Sequence, residues 1–284
     1  MTAALNTNTL FNFKCIFFRM KSNLSHSYLQ RFDGNSRIFS AAALPLLQQA
    51  SFCIVGIGGV GSWAAESTVR SGIGNITLID HDDIDIGNSN RQIHTLVDTI
   101  GQSKVETLRR RILSINPECE CIALDELVTR SRLDRFQFEQ FDFVIDAIDH
   151  VQHKTALVHH CRRNKTRLIS TGGAGGLTDP TKIDTADLTK TFNDPLLAKV
   201  RANLRQQLGY SRNPRRSFGI PCVYSTQQPI YPTDDGNISY RKPARPEQTS
   251  LDCATGIGSF VAVTASFGFC AAAFAVNKYL EKKL

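Results

Sequence analysis

Residues 51–80, SFCIVGIGGVGSWAAESTVRSGIGNITLID, decide the fold. The stretch opens with a short apolar run at 52–55, which has the length of a buried parallel strand. A helix-like segment that ends near Gly72 follows, and then a second apolar run at 76–79 that ends on Asp80. Four glycines separate the first run from the helix: Gly56, Gly58, Gly59 and Gly61. The pattern predicts a βαβ unit in which a glycine turn leads into a helix.

The glycine turn is typical of a nucleotide site. Glycines let the backbone approach a phosphate closely, and the start of a helix offers unpaired N–H groups and the positive end of its dipole. Asp80 lies 19 residues after Gly61, where a carboxylate accepts hydrogen bonds from a ribose. This stretch alone leaves NAD, FAD and ATP as alternatives, because all three bind to such turns.

The composition is that of a globular protein. The 284 residues suffice for one large or two small domains, and 42% hydrophobic with 21% charged residues is ordinary for a soluble fold. The net charge of +7 is a weak indication of an anionic partner. The eight cysteines are irregularly spaced and form no CxxC pair, which favours a reducing compartment and argues against a disulfide framework or a structural zinc site.

Strand-like and helix-like segments alternate through the middle of the chain. We predict helices at 102–115 and 151–164, and strands at 119–124, 141–149 and 167–170. This alternation predicts an α/β fold of the Rossmann type, with a doubly wound and mostly parallel sheet. Ligands of such sheets bind at the carboxyl ends of the strands. The residues predicted at those ends are 56–61, Asp80, Asp146, Asp149 and Gly172.

The chain divides into three regions. We expect residues 1–19 to be a disordered or non-native extension, residues 20–177 to form the nucleotide-binding domain, and residues 178–284 to form a substrate-binding and dimerisation region that continues the same fold. In the third region we expect loops, antiparallel strands and a short helix at 195–208. Segment 253–277 is uncharged and long enough to span a membrane, but its many small residues favour a buried terminal helix.

A polar cluster, NSNRQ at 88–92, follows the ribose acid closely enough to reach nucleotide phosphates. A dehydrogenase does not need such a cluster, whereas transfer at an α-phosphate does, because charge spreads over oxygens that fixed donors must meet. Arg91 offers a bidentate fork to phosphate. Lys104 stands in the first turn of a predicted helix, where the dipole disfavours a cation, so a phosphate partner would explain its position. The alternative is a solvated surface lysine.

Two acids end the strand predicted at 141–149. Asp146 and Asp149 are suitable ligands for Mg²⁺ bound to a triphosphate. The alternative is that one of them caps the helix that follows.

Together these motifs carry a resemblance to a known family. GIGGVGS, LIDHDDIDIGNSNRQ, Lys104 and VIDAID, in that order, resemble the ATP-binding core of the ThiF/MoeB and ubiquitin-activating superfamily, whose members adenylate a carboxylate. Within it, INPEC, CRRNK, TGGAGG, DPTKI, DLTKT and DCATGIGS resemble the tRNA threonylcarbamoyladenosine dehydratases over some 250 residues, from about Tyr28 to near the C-terminus.

The resemblance implies ATP and Mg²⁺ as cofactors and assigns roles at matching positions. Asp80 would hold the ribose, Asn88 and Arg91 the phosphates, and Asp149 the metal, with Arg91, Lys104 and Asp149 as the catalytic residues. The nucleotide-binding residues would be Gly56, Gly58, Gly59, Gly61, Asp80, Asn88, Arg91, Gln92, Lys104 and Asp146.

The implied reaction is ATP-dependent cyclisation of threonylcarbamoyladenosine next to the anticodon of ANN-decoding tRNA, through adenylation of the threonyl carboxylate. The family also implies a homodimer in the cytoplasm and, more weakly, a cysteine desulfurase with its sulfur acceptor as partners. Cys222 and Cys253 are candidate reactive thiols, although a structural role is the better expectation for each. The alternative is an adenylyltransferase that activates the C-terminus of a ubiquitin-like or sulfur-carrier protein.

A basic window supports an RNA substrate separately from the family. Residues 195–233 contain no acid. Tyr210 and Phe218 are interleaved with its cations and are predicted to stack on unpaired bases. The candidate tRNA contacts are Arg201, Arg205, Arg212, Arg215 and Arg216, together with Lys199. The alternative is a solvated basic loop.

Overall fold

The structure is a computed structural model that describes residues 24–242 and 257–284. The expectation for residues 1–19 and the candidate thiol Cys253 lie outside the described residues, as does the first part of segment 253–277.

A seven-stranded sheet forms the centre of the molecule, with the strand order β3-β2-β1-β4-β5-β7-β6. Every neighbouring pair is parallel except β6 and β7. The strands are β1 (Ser51–Val55), β2 (Asn75–Asp80), β3 (Glu120–Asp125), β4 (Phe143–Asp146), β5 (Leu168–Thr171), β6 (Ile183–Asp187) and β7 (Pro221–Ser225), and a separate hairpin pairs β8 (Tyr231–Pro232) with β9 (Ile238–Ser239). The predicted doubly wound, mostly parallel α/β fold is confirmed.

Helices cover both faces of the sheet. They are α1 (His26–Phe39), α2 (Ala43–Gln49), α3 (Gly61–Arg70), α4 (Lys104–Ile115), α5 (Val151–Arg163), α6 (Pro195–Gln207) and α7 (Val261–Lys283). In β1, Phe52 and Ile54 face a core built with α2, α3, α4 and α7, whereas Cys53 and Val55 face a second core built with α5 and α6. This alternation follows from the two-residue period of a strand, so a fully apolar β1 fits a strand buried on both faces.

The predicted segments agree with the observed ones except at a few ends. The strand predicted at 141–149 ends at Asp146, because residues 147–150 form the connection that leads into α5. Helices α1 and α2 were not predicted from the sequence. They are tied to the βαβ unit by Tyr28, whose buried hydroxyl donates to the carbonyl oxygen of Gly72.

The chain from residue 178 onward shares the sheet with the earlier part, since β5 pairs with β7 over Ser170–Cys222 and Thr171–Val223. The boundary at 177 therefore cuts through one sheet, and the division into 20–177 and 178–284 stays a prediction.

Helix α7 is long and apolar enough to cross a membrane by length and composition, yet half of its most apolar window is buried inside the molecule. It crosses α3 closely at Gly268, where a Cβ atom would lie 2.5 Å from the carbonyl oxygen of Val60. Val263 and Phe267 lie fully buried in the same core as β1. The described part of segment 253–277 is thus a packed core helix, as the abundance of small residues predicted.

Candidate functional site

The site lies at the carboxyl ends of the neighbouring strands β1 and β4, where the strand order reverses, which is the topological switch point of the sheet. The backbone of Gly56 has a φ of +86°, and a Cβ atom there would lie 2.8 Å from the carbonyl oxygen of Ala147. A Cβ atom on Gly61 would lie 1.8 Å from the carbonyl oxygen of Gly56. Only glycine fits both positions, so the turn folds tightly against the start of α3 and leaves a cleft above it.

The cleft has a volume of about 440 Å³ and brings together most of the residues predicted to bind a nucleotide. Those in its walls are Gly56, Gly58, Gly59, Asp80, Asn88, Arg91, Gln92, Lys104 and Asp149. Gly61 serves the packing of α3 instead. We call this cavity the nucleotide cleft.

Asp80 holds the turn in place. One of its carboxylate oxygens accepts a hydrogen bond from the backbone N–H of Ile57, and the other accepts from the backbone N–H of Asp82 at 3.0 Å. The acid predicted to meet a ribose is therefore fixed by the glycine turn itself, beside the position where a nucleotide would lie.

Lys104 forms an ion pair that its sequence position does not indicate. Its Nζ lies 2.7 Å from Oδ2 of Asp82, and only 7% of the lysine side chain is exposed. The carboxylate offsets the unfavourable position of the cation in the first turn of α4. Asp82 belongs to the acidic run HDDID, so the sequence shows its charge. The sequence does not show that the loop 82–104 folds back and brings Lys104 next to Asp82.

Arg91 is held against the glycine turn. Its Nη1 donates to the carbonyl oxygen of Gly87 and to Oδ1 of Asn90, both at 2.9 Å. A Cβ atom on Gly59 would lie 3.0 Å from Cγ of Arg91, so the arginine stem lies directly on the turn. The Oδ1 of Asn88 accepts from the backbone N–H of Asp85 at 3.1 Å, which caps the short 3-10 turn that precedes Arg91.

Three buried side chains of the same loop have unsatisfied polar atoms within the described part of the chain. The atoms are Oε1 of Gln92, both ring nitrogens of His94 and Oγ1 of Thr95. His94 is 2% exposed, and burial together with the charge of Lys104 lowers its pKa to about 4. The imidazole is therefore neutral at neutral pH. Since buried polar groups are ordinarily paired, the orphaned oxygen of Gln92 in the cleft wall fits a site that awaits a polar ligand.

The prediction that Asp146 contacts the nucleotide or a metal is wrong in this structure. Its side chain is fully buried, accepts from Nζ of Lys154 at 2.8 Å and from Oγ of Ser170 at 2.6 Å, and does not line the cleft. The other oxygen accepts from the backbone N–H of Ile148 at 3.1 Å. Asp146 therefore shapes the connection that carries Asp149, and it has no oxygen directed at the cleft.

The prediction of a reactive thiol at Cys222 is also wrong. The residue is the second of β7 and has no exposure, and burial raises the pKa of its thiol well above the usual value. A thiol that is both inaccessible and protonated is inert.

The basic window is only partly available to a ligand. Nη1 of Arg201 donates to the carbonyl oxygens of Leu188 and Thr191 at 2.9 and 3.0 Å, so this arginine fastens α6 to the preceding loop. Arg205 lies over the ring of Phe218, which is itself 4% exposed. The prediction that Phe218 stacks on bases is therefore wrong. The contact of Arg201 with tRNA stays a prediction, although one nitrogen of its guanidinium already bonds within the protein. The exposed candidates are Lys199 on α6 and Arg212, Arg215 and Arg216 on the loop between α6 and β7.

Asp149 occupies the point where three cavities meet. It lines the nucleotide cleft, a small pocket of about 90 Å³ and a large groove of about 1450 Å³. The small pocket, here called the glycine pocket, shares Arg91 with the cleft, and the motif TGGAG forms one of its walls. The lining residues from that motif are Thr171, Gly172, Gly173, Ala174 and Gly175. The carboxylate of Asp149 is therefore accessible from more than one cavity.

The described residues also bring three possible metal ligands within 4.8 Å of one another, namely Asp80, His81 and Asp82. Asp82 is already paired with Lys104, and both oxygens of Asp80 accept backbone hydrogen bonds. Asp149 does not belong to this group. The donor set at the junction is thus a single carboxylate, which suits a metal that keeps most of its water and phosphate ligands.

Comparison with known proteins identifies the family. A model of the ThiF family matches residues 32–281. The tRNA threonylcarbamoyladenosine dehydratase of Escherichia coli K12 is 46% identical over 259 residues, which cover 91% of this chain and 97% of the relative.

Two solved structures of the Escherichia coli dehydratase TcdA are similar over the same extent. The complex with ATP is 43% identical with a TM-score of 0.82, and the complex with AMP is 44% identical with a TM-score of 0.82; each alignment covers 92% of this chain and 98% of the solved chain. The chain therefore belongs to the ThiF family and, within it, to the family of the tRNA threonylcarbamoyladenosine dehydratases.

Proposed function

We propose that this chain catalyses the ATP-dependent dehydration of threonylcarbamoyladenosine in tRNA next to the anticodon, through adenylation of the threonyl carboxylate. The observation that carries the proposal is the position of Asp149, where the nucleotide cleft, the glycine pocket and the large groove meet. Such a junction is what a reaction between a nucleotide and a separate, larger substrate requires, because both reactants must reach one point from different directions.

ATP occupies the nucleotide cleft in this proposal. Its ribose meets Asp80, its phosphates lie on the glycine turn beside Arg91, and Lys104 supplies a second cation. The orphaned Oε1 of Gln92 gains a partner from the nucleotide. The Escherichia coli relative has been solved in complex with ATP and with AMP and aligns with nearly the whole of this chain, which supports an adenine nucleotide as the ligand.

Mg²⁺ fits the same position. Asp149 offers an exposed carboxylate where the cleft meets the glycine pocket, and Mg²⁺ commonly takes one or two carboxylates together with substrate phosphates. The metal would neutralise charge on the phosphates.

The chemistry then needs little beyond position and charge. The threonyl carboxylate forms a bond to the α-phosphorus of ATP while pyrophosphate leaves. A nucleophile of the same modification then attacks the activated acyl carbon, and AMP departs, with the net loss of one water from the nucleoside. Arg91 and Lys104 stabilise the charge that develops on the α-phosphate. No covalent enzyme intermediate is required, in agreement with the inert thiol of Cys222.

The glycine pocket is the natural place for the threonyl group. It adjoins the phosphate turn at Gly58 and Gly59, and Arg91 and Asp149 stand on its rim. Leu196 and Ile257 close it with apolar surface. A small, mainly apolar pocket beside two charged groups is suited to the side chain of the threonyl group. The carboxylate of the same threonyl group would then point at the nucleotide.

The remaining partners follow from the family. We propose an ANN-decoding tRNA as the carrier of the substrate, with Arg212, Arg215 and Arg216 as exposed phosphate contacts. We also propose a homodimer, a cytoplasmic location and, as the weakest element, a cysteine desulfurase with its sulfur acceptor. Membrane association through segment 253–277 would have to preserve the packing of α7 on α3.

The experiment measures AMP release from ATP and Mg²⁺ with tRNA that carries threonylcarbamoyladenosine and with the same tRNA lacking it. AMP that forms only with the modified tRNA, with loss of water from the nucleoside, is the expected result. Arg91→Ala should abolish it, whereas Arg37→Ala, on the exposed surface of α1, should not. ATP-dependent AMP formation that needs a ubiquitin-like or sulfur-carrier protein instead of tRNA would overturn the proposal in favour of a protein adenylyltransferase.

A further inference from the structure

A large cavity among the described residues meets the nucleotide cleft at Asp149 and has no assigned ligand. It is a groove of about 1450 Å³ between α5 and α6, and the loop at 129–134 forms one of its edges. We call it the α5–α6 groove. Cavities that enclose small molecules are usually about 300–1,000 Å³, so this one suits a larger ligand. It opens onto the nucleotide cleft at one end, where Asp149, His150 and His153 belong to both.

Helical spacing aligns polar side chains along both walls. On α5, Gln152, His159 and Arg163 stand on one face, because they are separated by seven and four residues. On α6, Lys199, Asn203 and Gln207 repeat every four residues. The groove is therefore a built surface with cations and hydrogen-bonding groups at regular intervals.

The positive charges lie along the edges. Arg130, Arg163 and Lys199 are exposed, and the acids in the lining are Asp134 and Asp149. Oδ1 of Asp134 lies 3.6 Å from Nδ1 of His160. A groove with this balance attracts a polyanion rather than an acidic peptide bound at one point.

The histidines supply flat rings. The rings of His150 and His153 lie 4.2 Å apart with an angle of 35° between their planes, and His159 makes an edge contact with Tyr210. Burial and neighbouring positive charges lower the pKa of both His153 and His159. Neutral imidazoles beside fixed cations are suited to stacking on unpaired bases while arginine and lysine meet the phosphates.

We propose that the α5–α6 groove binds the single-stranded anticodon loop of the substrate RNA and leads the modified adenosine to Asp149. This inference rests on the proposed function and adds the surface that recognises the nucleic acid. Leu208 lines the far end of the groove, and the exposed loop with Arg212, Arg215 and Arg216 continues from there. The groove and this loop form one path from the stem of the RNA to the nucleotide cleft.

The test uses a fluorescent anticodon stem-loop RNA that carries threonylcarbamoyladenosine, with the full-length protein. Arg163→Met and Lys199→Met should each weaken binding and each reduce the slope of log K against log salt by about 0.7, as expected for one lost contact to a single-stranded phosphate. Lys182→Met, an exposed lysine outside the groove, is the matched control and should change neither. His159→Ala should weaken binding by about tenfold to a hundredfold without changing the slope, because stacking does not release counterions.

The affinity for ATP is measured in parallel and should be unchanged in the Arg163, Lys199 and His159 variants, since none of these residues lines the nucleotide cleft. Unchanged RNA affinity and salt slope in the Arg163 and Lys199 variants would overturn the groove proposal. Competition for the groove by a protein C-terminus with no binding of RNA would overturn it as well. If the wild-type protein releases AMP with modified RNA while these variants bind RNA like the wild type, the proposal that the groove binds RNA is wrong and the proposed function is unaffected.

Discussion

Lys154 and Asp146 form an ion pair with an Nζ to Oδ2 distance of 2.8 Å, and neither side chain has any exposure to solvent. The same carboxylate fixes the backbone N–H of Ile148, one residue before Asp149. Removing one partner of a buried pair leaves an uncompensated charge, which costs about 3–5 kcal/mol. We therefore expect Lys154→Met to lower the free energy of unfolding by that amount, as measured by urea denaturation.

A double variant separates charge from packing. Adding Asp146→Asn to Lys154→Met removes the unpaired carboxylate and should restore much of the lost stability. Lys190→Met, at an exposed lysine, is the control and should unfold like the wild type. Equal stability of the Lys154 single variant and the wild type would contradict this account of the pair.

Two adjacent glycines should respond differently to the same methyl group. A Cβ atom on Gly172 would lie 1.8 Å from Oδ2 of Asp194, whereas on Gly173 it would lie 3.7 Å from Cβ of Leu196. Gly172→Ala should therefore destabilise the fold. Gly173→Ala should fold normally but fill part of the glycine pocket and lower kcat/KM for the modified tRNA by about 10- to 200-fold, the range for one methyl-sized change in a substrate pocket.

The substrate analogue with glycine in place of threonine distinguishes pocket filling from a general defect. This analogue lacks the side chain that would meet the new methyl group, so Gly173→Ala should reduce its turnover much less. An equal loss with both substrates would show that the glycine pocket does not hold the threonyl group.

Much of the site was predictable because its residues follow strands at fixed places. Gly56, Asp80 and Asp149 stand at the carboxyl ends of β1, β2 and β4, which an alternating pattern identifies without knowledge of the fold. Asp146 was misassigned because it is the last residue of β4 and shares the face of Val144, which packs against α5 and α6. Strand parity applied to this one residue would have indicated its buried position.

Other features of the structure depend on tertiary contacts that composition does not reveal. Arg201 belongs to a basic window, yet its guanidinium bonds to carbonyls of the loop before α6. The α5–α6 groove was missed since its walls come from helices more than 30 residues apart, and neither helix alone has an unusual pattern. Lys154 appeared to be an ordinary helical lysine, because its partner lies on a neighbouring strand.

Asp194 should make stability depend on pH in a definite direction. Burial is the main cause that raises its pKa to about 6, although it accepts hydrogen bonds from the backbone N–H groups of Leu197 and Gly173. Because the folded pKa lies above the ordinary value of 3.8, the contribution to stability is fully present below about pH 4 and is lost as the pH rises through 6. The expected loss is about 2–3 kcal/mol.

Asp194→Asn isolates this effect, because asparagine also caps helices but does not titrate. The difference in unfolding free energy between the two proteins should shift in favour of the variant between pH 4 and pH 7. The neutral His94 contributes a change of opposite sign in this range, but it is common to both proteins and cancels in the difference. A difference that does not vary with pH would contradict the raised pKa of Asp194.

The pair of Lys104 and Asp82 links the stability of the protein to its nucleotide. Lys104 is almost fully buried at the start of α4, and Asp82 is the carboxylate that meets it. Asp82→Asn leaves the cation without its partner where the helix dipole already disfavours it, so Tm without ligand should fall. ATP then brings phosphates to the same cation, and the increase in Tm on adding ATP should be larger for Asp82→Asn than for the wild type.

Asp98→Asn, at an exposed acid of the same loop, is the control and should show the wild-type Tm and the wild-type increase in Tm. Thermal denaturation with and without ATP measures both quantities. A smaller increase in Tm for Asp82→Asn than for the wild type would contradict this prediction. It would mean that Asp82 itself contributes to nucleotide binding, and that Lys104 is positioned by Asp82 rather than by phosphate.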